Sequence, residues 1–119
     1  MPQIYRKDNV KIIAEKIADN IAKHNPDKYL ILTEPDTEHF PIPSDIKFDI
    51  ALIDKAASNL ISVILVETES SLSYSHAQQV WLPIVERQIP LEIAAPKSKL
   101  KQAKTLAKRL SIHIKVLEY

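Results

Sequence analysis

Three carboxylates stand where a chain could do metal or acid–base chemistry. Asp49 lies in the run Phe48 to Ile53, and Glu67 and Glu69 close the tract Val66-Glu67-Thr68-Glu69-Ser70. Side chains alternate along a strand, so Glu67 and Glu69 share one face and Thr68 takes the other. If the two strands are hairpin neighbours, Asp49 comes beside that pair. Carboxylates held that close repel unless they bind protons or a cation. An oxygen-only set of this kind suits Mg²⁺ or Mn²⁺, which take one or two carboxylates and keep several waters. The plain alternative is a solvated strand end, the usual fate of two acids spaced two apart.

The elements that must position these residues can be read from periodicity. Val10, Ile13, Ala14, Ile17, Ala18 and Ile21 form an apolar stripe, which predicts a helix from about Asp8 to His24. Asp8 or Asn9 would cap it, and Asn25-Pro26 would stop it. Tyr29 to Thr33 predicts a strand. Glu34 to Ser44, with Pro35, Asp36, Pro41 and Pro43, predicts a loop. Phe48 to Ile53 and Ser62 to Glu67 predict two more strands around a turn at Ala56 to Asn59. The unbroken β-branched run in the third strand implies burial on both faces. A Ser-rich connector, Ser70 to Ser75, leads to a helix from about Ser75 to Gln88, with a capping box at Ser75 and Gln78. Pro83 should kink or split that helix. Leu91 to Ala95, Lys97 to Leu110 and Ile112 to Leu117 predict strand, helix and strand.

The order is α-β-β-β-α-β-α-β. Three successive strands exclude a strictly alternating, doubly wound fold. The expectation is an α/β domain spanning residues 1–119. Its central mixed sheet of about five strands has an antiparallel start and parallel crossovers, with helices packed on it.

In this order and in the placement of Asp49, Glu67 and Glu69, the chain resembles the PD-(D/E)xK nuclease superfamily, whose restriction-endonuclease-like core is a helix, three strands, a helix and a strand. The tract Ile64 to Ser70, the following helix with Trp81, and Pro90-Leu91-Glu92-Ile93 look like small prokaryotic members. The resemblance runs from the first helix through the fourth strand. It implies a metal-dependent nuclease acting on DNA or RNA, with Asp49, Glu67 and the main-chain carbonyl of Thr68 as ligands of Mg²⁺ or Mn²⁺. Phe48 stands at the motif's Pro, and Gln78 or Gln79 falls near a Gln of some members. Glu69 occupies the position of the motif's Lys. That Lys orients the attacking water and stabilises phosphoryl charge, and Glu supplies no positive charge. By the resemblance, Glu69 acts as a base or a second ligand, as in the minority of family nucleases with E-x-E. Lys47 and Lys55 share face parity with Asp49 as substitutes, with Lys55 beyond the strand end. Glu15, where some members add an acid, lies off the apolar stripe and reads as a solvent face with Lys11 and Asp19. The alternative is a catalytically degenerate nuclease-fold domain that binds nucleic acid or protein.

The segment Lys97 to Arg109 has six basic residues and no acid. Lys97, Lys101, Lys104 and Lys108 fall at i, i+4, i+7 and i+11 and make one stripe, able to neutralise phosphates. An ordinary solvated helix face is the competing reading. Arg and aromatic interleaving, typical of base stacking, is absent within the helix.

The four histidines, His24, His39, His76 and His113, show no paired ligand spacing. Ser70, Ser71, Ser73 and Ser75 read as turn and cap residues with no base beside them. Trp81, the one Trp, reads as core or interface.

Composition narrows the rest. The 119 residues contain no Cys and no Gly. This excludes disulfides, thiolate metal sites, cysteine nucleophiles, P-loops and G-x-G-x-x-G fingerprints. Positions of positive φ must then fall on Asn, Asp or strained residues. The net charge of +1 shows no global bias toward a polyanion or a membrane. The polar start and the lack of a long apolar run predict a cytoplasmic protein without a membrane span. A domain this small can pair as a homodimer to enclose a substrate.

Overall fold

The computed structural model describes residues 2–33 and 48–119. The elements are α1 (Pro2–His24), β1 (Tyr29–Leu32), β2 (Ile50–Asp54), β3 (Leu60–Val66), α2 (Tyr74–His76), a π turn (Ala77–Trp81), α3 (Leu82–Glu86), β4 (Leu91–Ala95), a 3₁₀ turn (Lys97–Lys99), α4 (Leu100–Arg109) and β5 (Lys115–Glu118). The sheet order is β1-β2-β3-β4-β5. β1, β2 and β3 pair antiparallel, and β3, β4 and β5 pair parallel. The α/β class and the mixed five-stranded sheet therefore match the expectation.

Strand alternation sorts the core into two layers. Val63 and Leu65 of β3 pack with Trp81, Ile84, Ala103 and Leu106 on the face covered by α2–α3 and α4. Ile64 and Val66 point the other way, toward Ala14 and the α1 stripe of Val10, Ile13, Ile17 and Ile21. Burial on both faces of β3 explains its unbroken apolar run. Leu52 pairs with Ser62 but Ile53 pairs with Leu60, so Ile61 is an extra, bulged residue.

Several boundaries differ from the sequence reading. α1 begins at Pro2, not at an Asp8 or Asn9 cap, because proline suits a first helical turn and no breaker follows it. The second helical run is capped by Ser73, whose hydroxyl accepts the His76 N–H at 3.0 Å, so the expected Ser75–Gln78 box is not used. Pro83 does interrupt the regular helix, but through a π turn just before it rather than a break. The last strand is Lys115–Glu118, later than expected, and His113 precedes it. The Pro-rich loop, His39 and Lys47 lie outside the described residues.

Candidate functional site at one end of the central strands

Asp49 directly precedes β2 and Glu67 directly follows β3, so antiparallel pairing brings both to one end of the sheet. The Asp49 N–H donates to the Ile64 carbonyl at 3.0 Å, and the Glu67 N–H donates to the Ala94 carbonyl at 2.8 Å. Tyr119 arrives from the end of β5. Its N–H donates to the Ala95 carbonyl at 3.2 Å, and its hydroxyl donates to the Glu67 carbonyl at 2.7 Å.

The Glu67 side chain turns inward beneath the α2–α3 run, and the residue is only 2% exposed. Three protein donors surround it. The Ser71 hydroxyl donates to Oε1 at 2.6 Å. Trp81 Nε1 donates to Oε2 at 2.9 Å, and His76 Nε2 lies 2.9 Å from the same oxygen. A carboxylate offers about four lone-pair positions, and here three are taken. A buried charge is tolerable only when it is paired and hydrogen-bonded in this way. Ser71 also accepts the Thr68 N–H at 2.7 Å, which ties the turn after β3 to the same carboxylate. The expectation that no base stands beside the serines is thus corrected at Ser71. The turn after β3 folds back and brings it onto Glu67.

The π turn makes this centre. His76 and Trp81 are five residues apart, which in an unbroken α-helix would place them about 140° apart. The wider turn instead closes on an i to i+5 bond, from the Leu82 N–H to the Ala77 carbonyl, and aims both side chains at one oxygen. Sequence reasoning missed His76, Ser71 and Tyr119 and assigned Trp81 to packing alone. One signal was available: a buried indole N–H needs an acceptor.

Asp49 accepts the Val66 N–H at 2.7 Å through Oδ2. Burial pushes its carboxyl above the usual aspartate value; the Val66 N–H opposes that rise, and the Glu67 charge adds to it. Glu69 goes elsewhere. It is exposed, and its Oε1 takes a 3.3 Å bond from the Ser98 hydroxyl in the 3₁₀ turn just before α4. The Tyr119 phenol is raised by burial first, then by the charges of Glu67 and Glu69.

The geometry does not fit a ready metal centre on Asp49, Glu67 and Thr68. Glu67 has one acceptor position left, and the Thr68 carbonyl already receives the Ser71 N–H at 3.3 Å. Among the described residues no group of three or more His, Asp or Glu side chains is placed to hold a metal. Lys55, the other candidate for the missing positive charge, sits in the β2–β3 turn 3.9 Å from Asp27. Glu15, Gln78 and Gln79 are exposed.

Lys97, Lys101, Lys104 and Lys108 all face solvent, as their spacing predicts. Among the described residues none of the four has an acid partner. The row starts beside the Ser98–Glu69 contact and runs away from the acidic end for about 16 Å at helical rise. Among the described residues no helix is long and apolar enough to cross a membrane. No family model, curated protein or solved structure matches the chain.

Proposed function

We propose that this chain is a nucleic-acid-binding domain of nuclease-like architecture whose acidic centre serves the fold rather than phosphodiester cleavage. The carrying observation is the solvent-facing row Lys97, Lys101, Lys104 and Lys108, without acid partners among the described residues. Lysines on one helix face without acid partners can each replace a counterion on a phosphate backbone. Two further points support the reading. The Glu67 oxygens are occupied by Ser71, His76 and Trp81. The position that a PD-(D/E)xK nuclease fills with Lys holds Glu69, which reaches Ser98 instead. The test is fluorescence anisotropy with a labelled oligonucleotide across a salt series. Wild-type affinity should fall steeply with salt. The double substitution Lys101→Glu and Lys104→Glu should weaken binding at least tenfold and flatten the log–log slope by about 2. Wild-type affinity that ignores salt, or a variant that binds equally well, would sink the reading.

A metal-dependent nuclease is the second reading, with Asp49 and Glu67 as ligands of Mg²⁺ or Mn²⁺ and Glu69 as base. What favours it is position: Asp49 and Glu67 stand at one end of the sheet, and the Asp49 carboxyl is raised by burial first and then by the Glu67 charge, which a cation would offset. It would have to use the one acceptor position that Ser71, His76 and Trp81 leave on Glu67. Calorimetric titration of Mn²⁺ and Mg²⁺ into wild type and Glu67→Ala separates the readings. Binding in wild type that the substitution abolishes supports the metal site, and no binding in wild type supports the metal-free centre.

A further inference from the structure

The last helix lacks an aromatic of its own, but the fold supplies one from a different element. Tyr74 opens α2, and the Arg109 guanidinium lies over its ring at 4.4 Å from the centroid. Tyr74 is 38% exposed, one of the few large apolar side chains left in solvent among the described residues. The connector leading to it is held against α4, where Gln102 Nε2 donates to the Leu72 carbonyl at 3.4 Å. Lys101, Thr105 and Arg109 follow one another at i, i+4 and i+8, so one exposed ridge leads from the lysine row to the Tyr74–Arg109 pair. That ridge spans about 12 Å at helical rise.

We infer that the Tyr74–Arg109 pair is a stacking platform for an unpaired base, and that the ligand of this face is single-stranded nucleic acid. The inference rests on the nucleic-acid reading above and names its substrate class. Bases stack on aromatic rings and on guanidinium planes, and here the guanidinium already lies over the ring. Contact with Tyr74 restrains the guanidinium, which lowers the ordering cost when a base covers the pair. A duplex keeps its base faces stacked inside and offers phosphates and groove edges, but no free ring face to lie on the platform. A single strand can lay phosphates along Lys101, Lys104 and Lys108 and turn a base onto the platform.

The experiment is anisotropy at fixed salt with three probes: a single-stranded oligonucleotide, its duplex, and an abasic single strand of equal length. The proteins are wild type, Tyr74→Ala, Tyr74→Phe and Arg109→Lys, each checked for an unchanged melting temperature. Wild type should prefer the single strand to the duplex and to the abasic strand by about tenfold or more. Tyr74→Ala should erase that preference while leaving the salt slope unchanged. Tyr74→Phe should keep it. Arg109→Lys retains the charge but not the plane, and should lose most of it. Equal wild-type affinity for single strand and duplex overturns the platform while leaving the lysine row intact. A Tyr74→Ala protein that keeps the preference also overturns it. Salt-independent or absent wild-type binding to every probe overturns the nucleic-acid reading itself.

Discussion

Glu67 carries a carboxylate into a space that excludes water, so each donor around it has a stability consequence. Trp81 is fully buried and gives its indole N–H to Oε2 at 2.9 Å. Trp81→Phe keeps most of the apolar volume and removes that donor. It should cost about 1–3 kcal/mol, the range for leaving a buried polar group short of a partner, read from urea unfolding. Asp49 behaves in the opposite sense. Its carboxyl is raised above the ordinary 3.8, so the folded state holds the proton more tightly than the unfolded chain does. Its stabilising contribution is complete below the unfolded value and is lost as pH rises through the folded one. At neutral pH the ionised Asp49 is therefore a net cost. Asp49→Asn keeps an acceptor for the Val66 N–H and removes the charge. It should melt higher than wild type at pH 7, with the gap closing on acidification. Thermal melts between pH 7 and pH 3.5 check this, and a gap that widens toward acid would contradict the assigned environment.

At the scale of elements, the absence of glycine leaves a physical trace. Asp27, Ser58, Gln88 and Ser111 all have positive φ. Two of them end helices. After α3, the Gln88 N–H bonds to the Val85 carbonyl and the Ile89 N–H to the Ile84 carbonyl. After α4, Ser111 bonds to Lys108 and Ile112 to Ala107 in the same pattern. Both are Schellman motifs with a side chain where glycine is the usual residue. Gln88→Gly and Ser111→Gly should each stabilise by about 0.5–1 kcal/mol, measured as a higher urea midpoint. The sequence reading expected such positions on Asn, Asp or strained residues. Asp27 fits the first kind, and Gln88 and Ser111 fit the second.

For the molecule as a whole, α1 is the helix that covers one face of the sheet among the described residues. α1 lies on the layer containing Ile50, Leu52, Ile64 and Val66, all buried. A chain beginning at Asn25 would expose that apolar surface, which soluble monomers rarely tolerate. It should elute as aggregate in size exclusion, whereas the full chain keeps the face covered. Charge is also distributed at this scale. The acids Asp49, Glu67 and Glu69 lie toward one end of the sheet, and the lysine row runs away from them along the last helix. A polyanion would meet the lysines without crossing the acids, an arrangement that a net charge of +1 hides.

The order of elements, the antiparallel-then-parallel sheet and the burial of β3 were legible in the sequence. They follow from period, run length and turn residues, which are local properties. The outward face of the lysine row was legible for the same reason, since helical spacing alone sets it. The surroundings of Glu67 were not. Spacing put Glu67 and Glu69 on one strand face, but the chain leaves the strand after Val66 and turns at Ser71, so the two acids part. Its partners come from positions 71, 76 and 81, and only the π turn puts the last two on one side. Tyr119 reaches the same residue from 52 positions away. Tyr74 meets Arg109 across two elements that share no sequence pattern. Local periodicity decides which way a side chain faces along its own element. Which side chain it then touches depends on how separate elements pack, and that information exists only in the tertiary structure.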